Sequence, residues 1–385
     1  SVFSFLKLRA TVGIGGNVDP TRTALPVGTA WNDPVTGYYA LNIRQINNAS
    51  LKWEQCRQVN LAVDFETAKQ RISGSLDFYF KKGTNLYGPS PIDYTAWGKT
   101  NSIVKNIAAM KGRGIELSLQ TKNVTGLFEW NSGLLFNYNE SKTTDYYQTN
   151  PANVYYFILS GGEIAPVVGK PLYAVAAYKW GGLDSNGDPQ GYINGTLSTD
   201  YAKIRESAYG GDQSGIVYIG QQDPKFFGAL TNNFHYKGLG LLINISYKLG
   251  HYFQCPALSY NALYATGSGN REYQNRWQHP GDERKTNVPA MVYTDYPNFS
   301  GRDAFYTASE INYLKAGHVR LEYINLSYSF PFHKKEHFFF KEFSLVGNLA
   351  NLGIIWRKNK EHLDPDYYYT NTPPRQFSMS LRARF

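Results

Sequence analysis

The stretch Leu239-Gly240-Leu241-Leu242-Ile243-Asn244-Ile245-Ser246-Tyr247-Lys248-Leu249 decides the fold of this chain. Its odd positions are all apolar or aromatic, whereas Asn244, Ser246 and Lys248 occupy even positions. Successive side chains of a β-strand point to opposite faces, so this alternation predicts a strand with one apolar face. A run of about ten residues also matches a tilted strand that crosses a bilayer.

Other segments repeat this alternation over similar lengths. The segment Phe128–Tyr138 follows it with Leu135 as the exception, and Gln376–Phe385 follows it to the last residue. A water-soluble β-sandwich also alternates, but runs of about ten residues favour membrane strands. With 31 Tyr and 22 Phe against 3 Met in 385 residues, the composition favours strands as well. We therefore predict an all-β chain that forms a transmembrane antiparallel β-barrel.

Counting strands back from Phe385 gives a parity argument. Clear strands are predicted near residues 5–16, 51–66, 72–86, 112–122, 128–140, 173–181, 226–236, 239–252, 318–330, 338–356 and 376–385. These are eleven, and a barrel segment that starts upward and ends downward needs an even number. We therefore expect a twelfth strand between Gly182 and Lys225, beginning near Gln190-Gly191-Tyr192-Ile193. Apolar residues occupy odd positions up to Tyr323 and even positions from Ile324 onward. This change predicts a β-bulge near Tyr323, and a misplaced strand start is the alternative.

The predicted connections alternate between short and long. Short turns are expected at Thr67–Arg71, Lys122–Leu127, Tyr236–Leu239 and Pro331–Phe338. Long loops are expected over residues 17–50, 88–110, 141–171, 253–317 and 358–374. Short turns at one membrane surface and long loops at the other are typical of outer-membrane barrels.

The motifs that carry chemistry are weak. Asp184-Ser185-Asn186-Gly187-Asp188 imitates the start of a calcium loop, but Pro189 and Gly195 stand where that loop needs Gly and Glu, so we predict a tight turn. The net charge of +9 is spread in single residues and short pairs, which argues against nucleic-acid binding. Cys56 and Cys255 match no metal spacing and are interpreted as incidental. We predict no catalytic residue, no metal site, no cofactor and no enzyme activity.

Aromatic residues in the predicted long loops are the candidates for ligand binding. They are Tyr94, Trp97, Tyr155, Tyr156, Tyr273, Trp277, Tyr293 and Tyr296. Flat rings beside amide and carboxylate groups suit sugar rings, and they suit peptides nearly as well. The alternative for each ring is that it packs one loop onto another.

Several stretches in order resemble a known family. They are Phe5-Leu6-Lys7-Leu8-Arg9-Ala10-Thr11-Val12-Gly13, Ser50-Leu51-Lys52-Trp53-Glu54, Arg71-Ile72-Ser73-Gly74-Ser75-Leu76-Asp77-Phe78-Tyr79, Met110-Lys111-Gly112-Arg113-Gly114-Ile115-Glu116-Leu117, Tyr178-Lys179-Trp180-Gly181-Gly182-Leu183-Asp184, Asn325-Leu326-Ser327-Tyr328-Ser329-Phe330-Pro331 and Gly347-Asn348-Leu349-Ala350-Asn351-Leu352. Together they resemble the C-terminal barrel region of SusC/RagA-like TonB-dependent transporters of the Bacteroidetes outer membrane.

The resemblance implies a barrel of about 22 strands with a plugged lumen. About twelve of those strands would lie here, so that residues 1–385 form the C-terminal portion of a single barrel domain. The first strands, the plug, the TonB-box segment and a signal peptide would then precede this chain. The terminal aromatic Phe385 would be the signal for barrel assembly.

The resemblance further implies active import of a nutrient, with an oligosaccharide as the expected cargo. A SusD-like surface lipoprotein, TonB and outer-membrane lipid would be the partners. Inward polar residues would line the lumen, namely Glu116, Asn131, Asn244, Lys248, Arg382 and Arg384; supporting the plug or each other is their alternative role. The other functions in view are an oligopeptide importer of the RagA type, a passive porin and a barrel-anchored scaffold.

Overall fold

The computed structural model describes residues 2–17, 23–93, 95, 102–147, 158, 167–209, 213–330 and 342–384. The strands are β1 (Phe3–Asn17), β2 (Val27–Asn32), β3 (Tyr39–Gln45), β4 (Glu54–Thr67), β5 (Ile72–Pro91), β6 (Ser102–Val124), β7 (Phe128–Tyr146), β8 (Ala174–Tyr178), β9 (Gly191–Ile193), β10 (Thr196–Ser198), β11 (Ile216–Gln221), β12 (Phe226–Tyr236), β13 (Leu239–Leu249), β14 (Tyr252–Gln254), β15 (Tyr313–Lys315), β16 (His318–Ser329), β17 (Glu342–Arg357) and β18 (Gln376–Arg384). The helices are α1 (Tyr201–Ser207), α2 (Tyr260–Thr266) and α3 (Phe299–Thr307), with short 3₁₀ turns at Gln213–Gly215, Arg271–Asn275, Asp282–Arg284 and Glu310–Asn312.

One large sheet organises the chain. Ten strands pair in the order β1-β4-β5-β6-β7-β12-β13-β16-β17-β18. Every pair of neighbours in it is antiparallel. This confirms the predicted all-β, antiparallel barrel class.

The register places an apolar band on one face of this sheet. A single row crosses six strands as Leu61, Phe78, Ile115, Tyr138, Phe226 and Leu249, each opposite the next. Leu61 stays 48% exposed, and at the far edge Phe377 is 70% exposed. So much continuous apolar surface is unusual for a face that meets water. In the described ranges, no helix is long and apolar enough to cross a membrane.

Among the described residues, the large sheet has ten strands, two fewer than the twelve predicted. Segment 173–181 does form a strand, β8, but β8 pairs with β11 in a separate two-stranded sheet, and β9 pairs with β10 in another. All five residues of β8 are buried and most are alanine or valine, so the segment lies inside a packed body. Five residues are also too few to cross a bilayer. The parity rule still holds, since the ten strands of the large sheet are an even number.

The alternation of short and long connections is largely confirmed. β4 and β5 are joined by residues 68–71, β6 and β7 by 125–127, and β12 and β13 by Lys237-Gly238. Both residues of this last turn have positive φ, 46° and 86°, which a two-residue hairpin of the favoured twist requires. The turn predicted at Pro331–Phe338 lies outside the described residues.

Two of the predicted long loops are shorter than expected. β5 continues to Pro91 and β6 begins at Ser102, so most of the loop predicted at 88–110 is strand. β7 likewise continues to Tyr146. The end of β7 is polar on both faces over Ser141–Asp145, whereas the start of β6 is apolar, with Ile107, Ala108 and Ala109 buried. Neither stretch shows the alternation of apolar and polar residues that predicts a lipid-facing strand. The predicted loops 253–317 and 358–374 lie between strands of the large sheet, and the 17–50 loop contains the hairpin of β2 and β3.

The predicted β-bulge is confirmed. Asn244 pairs with Tyr323 whereas Ile245 pairs with Leu321, so Glu322 is the extra residue. The same irregularity appears on the β17 side, where Leu321 pairs with Gly353 and Tyr323 with Ala350. The bulge keeps Leu321 and Ile324 on the apolar face and brings Glu322 to the polar face, where it accepts a hydrogen bond from Ser246.

A compact body is built from the long connections, namely residues 167–209, 213–222 and 252–316, and is called the loop body below. One core cluster joins Tyr178, Tyr201, Ile204 and Phe305. A second joins residues of the α2 and α3 segments, including Leu258, Tyr260 and Tyr306. The loop body therefore has a hydrophobic interior of its own at the long-loop end of the sheet.

A prediction follows from the close contact at Gly228 in β12. A Cβ atom at this position would lie 1.9 Å from the Leu135 carbonyl oxygen and 2.7 Å from the Tyr247 hydroxyl. We expect Gly228→Ala to destabilise the sheet by about 1–3 kcal/mol. The measurement is the fraction of protein that stays folded in SDS without heating. Gly13→Ala on the edge strand, where nothing lies within 4 Å, is the control and should have no effect. Equal SDS resistance of both variants would contradict the prediction.

Candidate functional site

The face opposite the apolar band is polar and carries ion pairs. The six residues predicted to line a lumen all lie on it by register: Glu116, Asn131, Asn244, Lys248, Arg382 and Arg384. On the same face, the Arg9 guanidinium binds both carboxylate oxygens of Asp64 at 2.8 Å and reaches Asp77 at 3.2 Å. Asp77 in turn lies directly opposite Glu116. Charged groups are thus brought together on one side of the sheet.

A cluster of charges attaches the loop that follows β17 to this polar face. Asp366 lies 2.9 Å from the Lys248 ammonium and 3.2 Å from His318 Nε2. Arg320 donates to Asp364 at 2.7 Å and to Asp366 at 3.2 Å. We call these five residues the clamp. Burial alone would raise the pKa of the Asp366 carboxyl, but the nearby His318 and the bond from Lys248 outweigh it and hold the pKa well below its usual range.

His251 lies beside the clamp at the start of the loop body. Its ring centroid is 6.2 Å from that of His318, and its Nδ1 atom is buried without a hydrogen-bond partner among the described residues. Burial, together with the nearby His318, lowers the pKa of His251 from 6.5 to about 4, although Asp366 opposes the shift. His251 is therefore neutral at ordinary pH.

A buried arginine holds the loop body together. The Arg302 side chain on α3 is 2% exposed, and its Nε atom lies 2.5 Å from Asp188 Oδ1. Its NH2 group donates to the carbonyl oxygens of Gly187 and Ala290, both at 3.0 Å. The predicted tight turn is confirmed, because the amides of Asn186 and Asp188 both donate to Asp184 Oδ1 at 2.8 Å. The turn presents Asp188 and a carbonyl to the guanidinium.

The structure places four of the eight predicted ligand-binding aromatics, all in the loop body. Tyr273 is half-buried and its hydroxyl lies 3.0 Å from the Met291 sulfur. Trp277 donates to Glu283 at 3.1 Å. Tyr296 donates to Asp188 at 2.6 Å, and this bond raises the pKa of Tyr296 to about 12. These three rings make structural contacts within the loop body.

Tyr293 differs from those three rings. It is 67% exposed, and its ring centroid lies 6.1 Å from that of Tyr264, which is 38% exposed. The two rings form an accessible aromatic pair on the loop body. Tyr94, Trp97, Tyr155, Tyr156 and Phe385, which were also predicted, lie outside the described residues.

Sequence reasoning missed the clamp and the buried Arg302. An arginine among the aromatic residues of Phe299–Thr307 is a visible signal, because a short helix facing a core seldom carries an unpaired charge. Asp364 and Asp366 gave no such signal, since acidic residues are ordinary in loops. Both cysteines are free, Cys56 exposed and Cys255 partly buried. Within the part of the chain that the structure describes, no group of three His, Cys, Asp or Glu side chains is arranged to hold a metal ion.

The buried pair gives a second prediction. Arg302→Met removes the charged partner of Asp188, which then keeps the bond from Tyr296, and it takes the side-chain donor from the Ala290 carbonyl oxygen. We therefore expect the loop body to lose about 3–5 kcal/mol of stability. Limited proteolysis should then cut the segments 184–190 and 290–302 much faster than in the wild type. Arg284→Gln, at an exposed arginine of the same body, is the matched control. Unchanged cleavage of the Arg302 variant would refute the structural role.

His251 gives a third prediction, with a defined sign. Its pKa is lowered in the folded state, so the stability that it contributes is present above about pH 6.5 and is lost as the pH falls towards 4. We expect the opening equilibrium of the β14–β15 ladder to rise by up to about tenfold per pH unit across this window. Hydrogen–deuterium exchange of Tyr252 and Phe253, corrected for the intrinsic rate, measures it. His251→Asn should flatten the dependence, and a wild type with no pH dependence would disprove the effect.

Known proteins resemble this chain in sequence. No protein-family model matches it. The TonB-dependent receptor P26 of Formosa agariphila is 27% identical over 86% of the chain and 33% of its own length. The TonB-dependent receptor SusC of Bacteroides thetaiotaomicron is 25% identical over 71% of the chain and 28% of its own length. The chain thus spans about a third of the curated relatives that it matches.

Solved structures share its fold. The RagAB peptide transporter superposes with a TM-score of 0.74 at 20% identity, over 99% of this chain and 40% of the other. The 'open-open' state of the RagAB peptide importer gives 0.73 at 18% identity, over 100% and 40%. The motifs, the relatives and the fold agree with one another. Together they support a SusC/RagA-like TonB-dependent transporter, to which this chain is similar over part of its length.

Proposed function

We propose that the protein containing this chain imports a nutrient across the outer membrane in a TonB-dependent manner. This chain is the C-terminal portion of its single barrel domain. One observation carries the proposal: the ten-stranded sheet is apolar and exposed on one face, and polar with ion pairs on the other. A soluble sheet buries its apolar face, whereas a transmembrane barrel turns that face to lipid.

The two faces and two ends of the sheet then have separate roles. The apolar band contacts lipid, and Glu116, Asn131, Asn244, Lys248, Arg382 and Arg384 line the lumen. The short turns lie at the periplasmic surface, and the loop body lies at the extracellular mouth. A polar lumen with a folded body at its entrance suits uptake of a hydrophilic cargo.

The open edges of the large sheet argue against a passive pore formed by this chain alone. In the described ranges, the edge strands β1 and β18 each pair with a single neighbour in the large sheet. Open edges cannot remain unpaired in a bilayer, because their backbone groups find no water there. Further strands of the same protein complete the barrel, in keeping with the partial match to longer relatives.

The partners follow from the resemblance to SusC and to RagAB. A SusD-like surface lipoprotein covers the mouth beside the loop body, and TonB acts on the plug. The cargo that we propose is an oligosaccharide, for which the exposed rings of Tyr293 and Tyr264 offer a stacking surface. An oligopeptide is the alternative cargo, since RagAB is described as a peptide importer.

The test is uptake by cells that lack the gene and carry it back on a plasmid. We expect restored, proton-gradient-dependent uptake of a labelled oligosaccharide, lost again when TonB is depleted. Tyr293→Ala should lower that uptake several-fold, whereas Tyr296→Phe, which removes only a hydroxyl, should lower it less. Labelled oligopeptides run in parallel test the alternative cargo. Uptake that is the same with and without the gene, for both cargoes, would refute the import function.

A further inference from the structure

A cavity of about 610 Å³ lies between the polar face and the loop that follows β17. Its floor is the bulged part of β16 and β17, and its other wall is residues 362–375. Arg320, Arg357, Arg375, Tyr367 and Tyr368 line it, and we call it the arginine pocket. Its size suits a ligand of a few sugar or amino-acid units.

The arginine pocket is held open by contacts at both ends of its loop. The clamp attaches Asp364 and Asp366 to the sheet. Farther along, Asn351 donates to the Pro374 carbonyl at 3.0 Å. On the outer side, Arg271 of the loop body lies 2.9 Å from Glu361. A loop attached at three points costs little further ordering when a ligand binds, so the cavity is preorganised.

The charges of the lining leave guanidinium groups available. Arg320 is already paired with Asp364 and Asp366. Arg357 donates one bond, to the His362 carbonyl, and neither Arg357 nor Arg375 forms an ion pair among the described residues. Glu322 is the remaining carboxylate of the lining, and it accepts from Ser246. Two arginines without a carboxylate partner thus stand opposite one carboxylate.

Aromatic rings provide the apolar side of the same cavity. Tyr368 packs against Phe253 of the loop body with ring centroids 4.9 Å apart. Tyr367 lies under the Arg320 guanidinium at 5.5 Å. Both rings are therefore fixed in place. A fixed ring beside free guanidinium groups suits a ligand that has a flat or apolar body and a carboxylate.

We propose that the arginine pocket is a binding site for a carboxylate-bearing part of the cargo. Arg357 and Arg375 bind the carboxylate, and Tyr367 and Tyr368 pack against the unit that carries it. The proposal rests on the import function proposed above and makes it more specific. A carboxylate is found both in uronic-acid oligosaccharides and at a peptide terminus, so the shared chemistry is the acid group.

Binding to the purified full-length protein in detergent tests the proposal. The probes are two matched pairs: trigalacturonate with its uncharged galactose trimer, and N-acetyl-trialanine with N-acetyl-trialanine amide. We expect the acid of at least one pair to bind about tenfold more tightly than its neutral partner, because a charge-assisted bond to Arg is strong. The pair that shows the preference identifies the source of the acid. Equal binding of both members in both pairs would overturn the proposal.

Variants then show which residues cause the preference for the acid probe. The Arg357→Gln/Arg375→Gln double variant should bind acid and neutral probe alike, whereas Arg284→Gln should retain the tenfold preference. If the double variant does not fold, Arg375→Gln alone, at an exposed position, should reduce the preference by at least threefold. A preference that survives removal of these guanidiniums places the acid elsewhere and refutes the assignment. Because binding is measured without transport, a failed uptake experiment would leave this result unchanged, and the reverse also holds.

Discussion

The continuous hydrogen-bond ladder from β1 to β18 is the constraint on which the rest of the structure depends. Within a bilayer, each backbone amide and carbonyl must find a partner in the protein, since lipid offers none. Ten antiparallel strands satisfy this at every pairing between β1 and β18. Once the ladder is formed, side chains can only point to one face or the other. The apolar band and the polar, ion-paired face both follow from that geometry.

The long connections have a different physical basis. The loop body buries its own apolar clusters, as a small soluble domain does. It also contains a charge that is nearly inaccessible to water, Arg302, which Asp188 and two carbonyl oxygens satisfy together. Such a buried pair adds little net stability over an apolar replacement, but it fixes one arrangement of the segments that meet there. The 184–190 turn and α3 are thereby held in register.

The clamp attaches a third part, the loop that follows β17, to the sheet. It joins strands β13 and β16 to the loop after β17 through Asp364 and Asp366. His251, beside it, belongs to the connection that enters the loop body. Arg320 and Asp364 belong both to the clamp and to the lining of the arginine pocket. The loop body meets the same loop through Arg271 with Glu361 and Phe253 with Tyr368.

The segments that form the ten sheet strands, and the face of most of their residues, could be predicted from local alternation. Leu239–Leu249 shows why, because a strand with one lipid-facing side must repeat its pattern every second residue. The β-bulge at Glu322 was visible for the same reason, as a change in the parity of apolar positions. Whether β8 belongs to the large sheet could not be predicted from the sequence. A strand that is buried on both faces shows no alternation, so a barrel strand and a core strand look alike there.

The sequence by itself therefore determined the class of fold, the direction of alternation and the family resemblance. These depend on neighbouring residues and on motif order, which are properties of the linear chain. Only the tertiary structure decided which strands join the large sheet and which side chains meet. Arg302 reaches Asp188, 114 positions away, and Lys248 reaches Asp366, 118 positions away. Contacts over such separations are set by the packing of whole segments, and no local pattern encodes them.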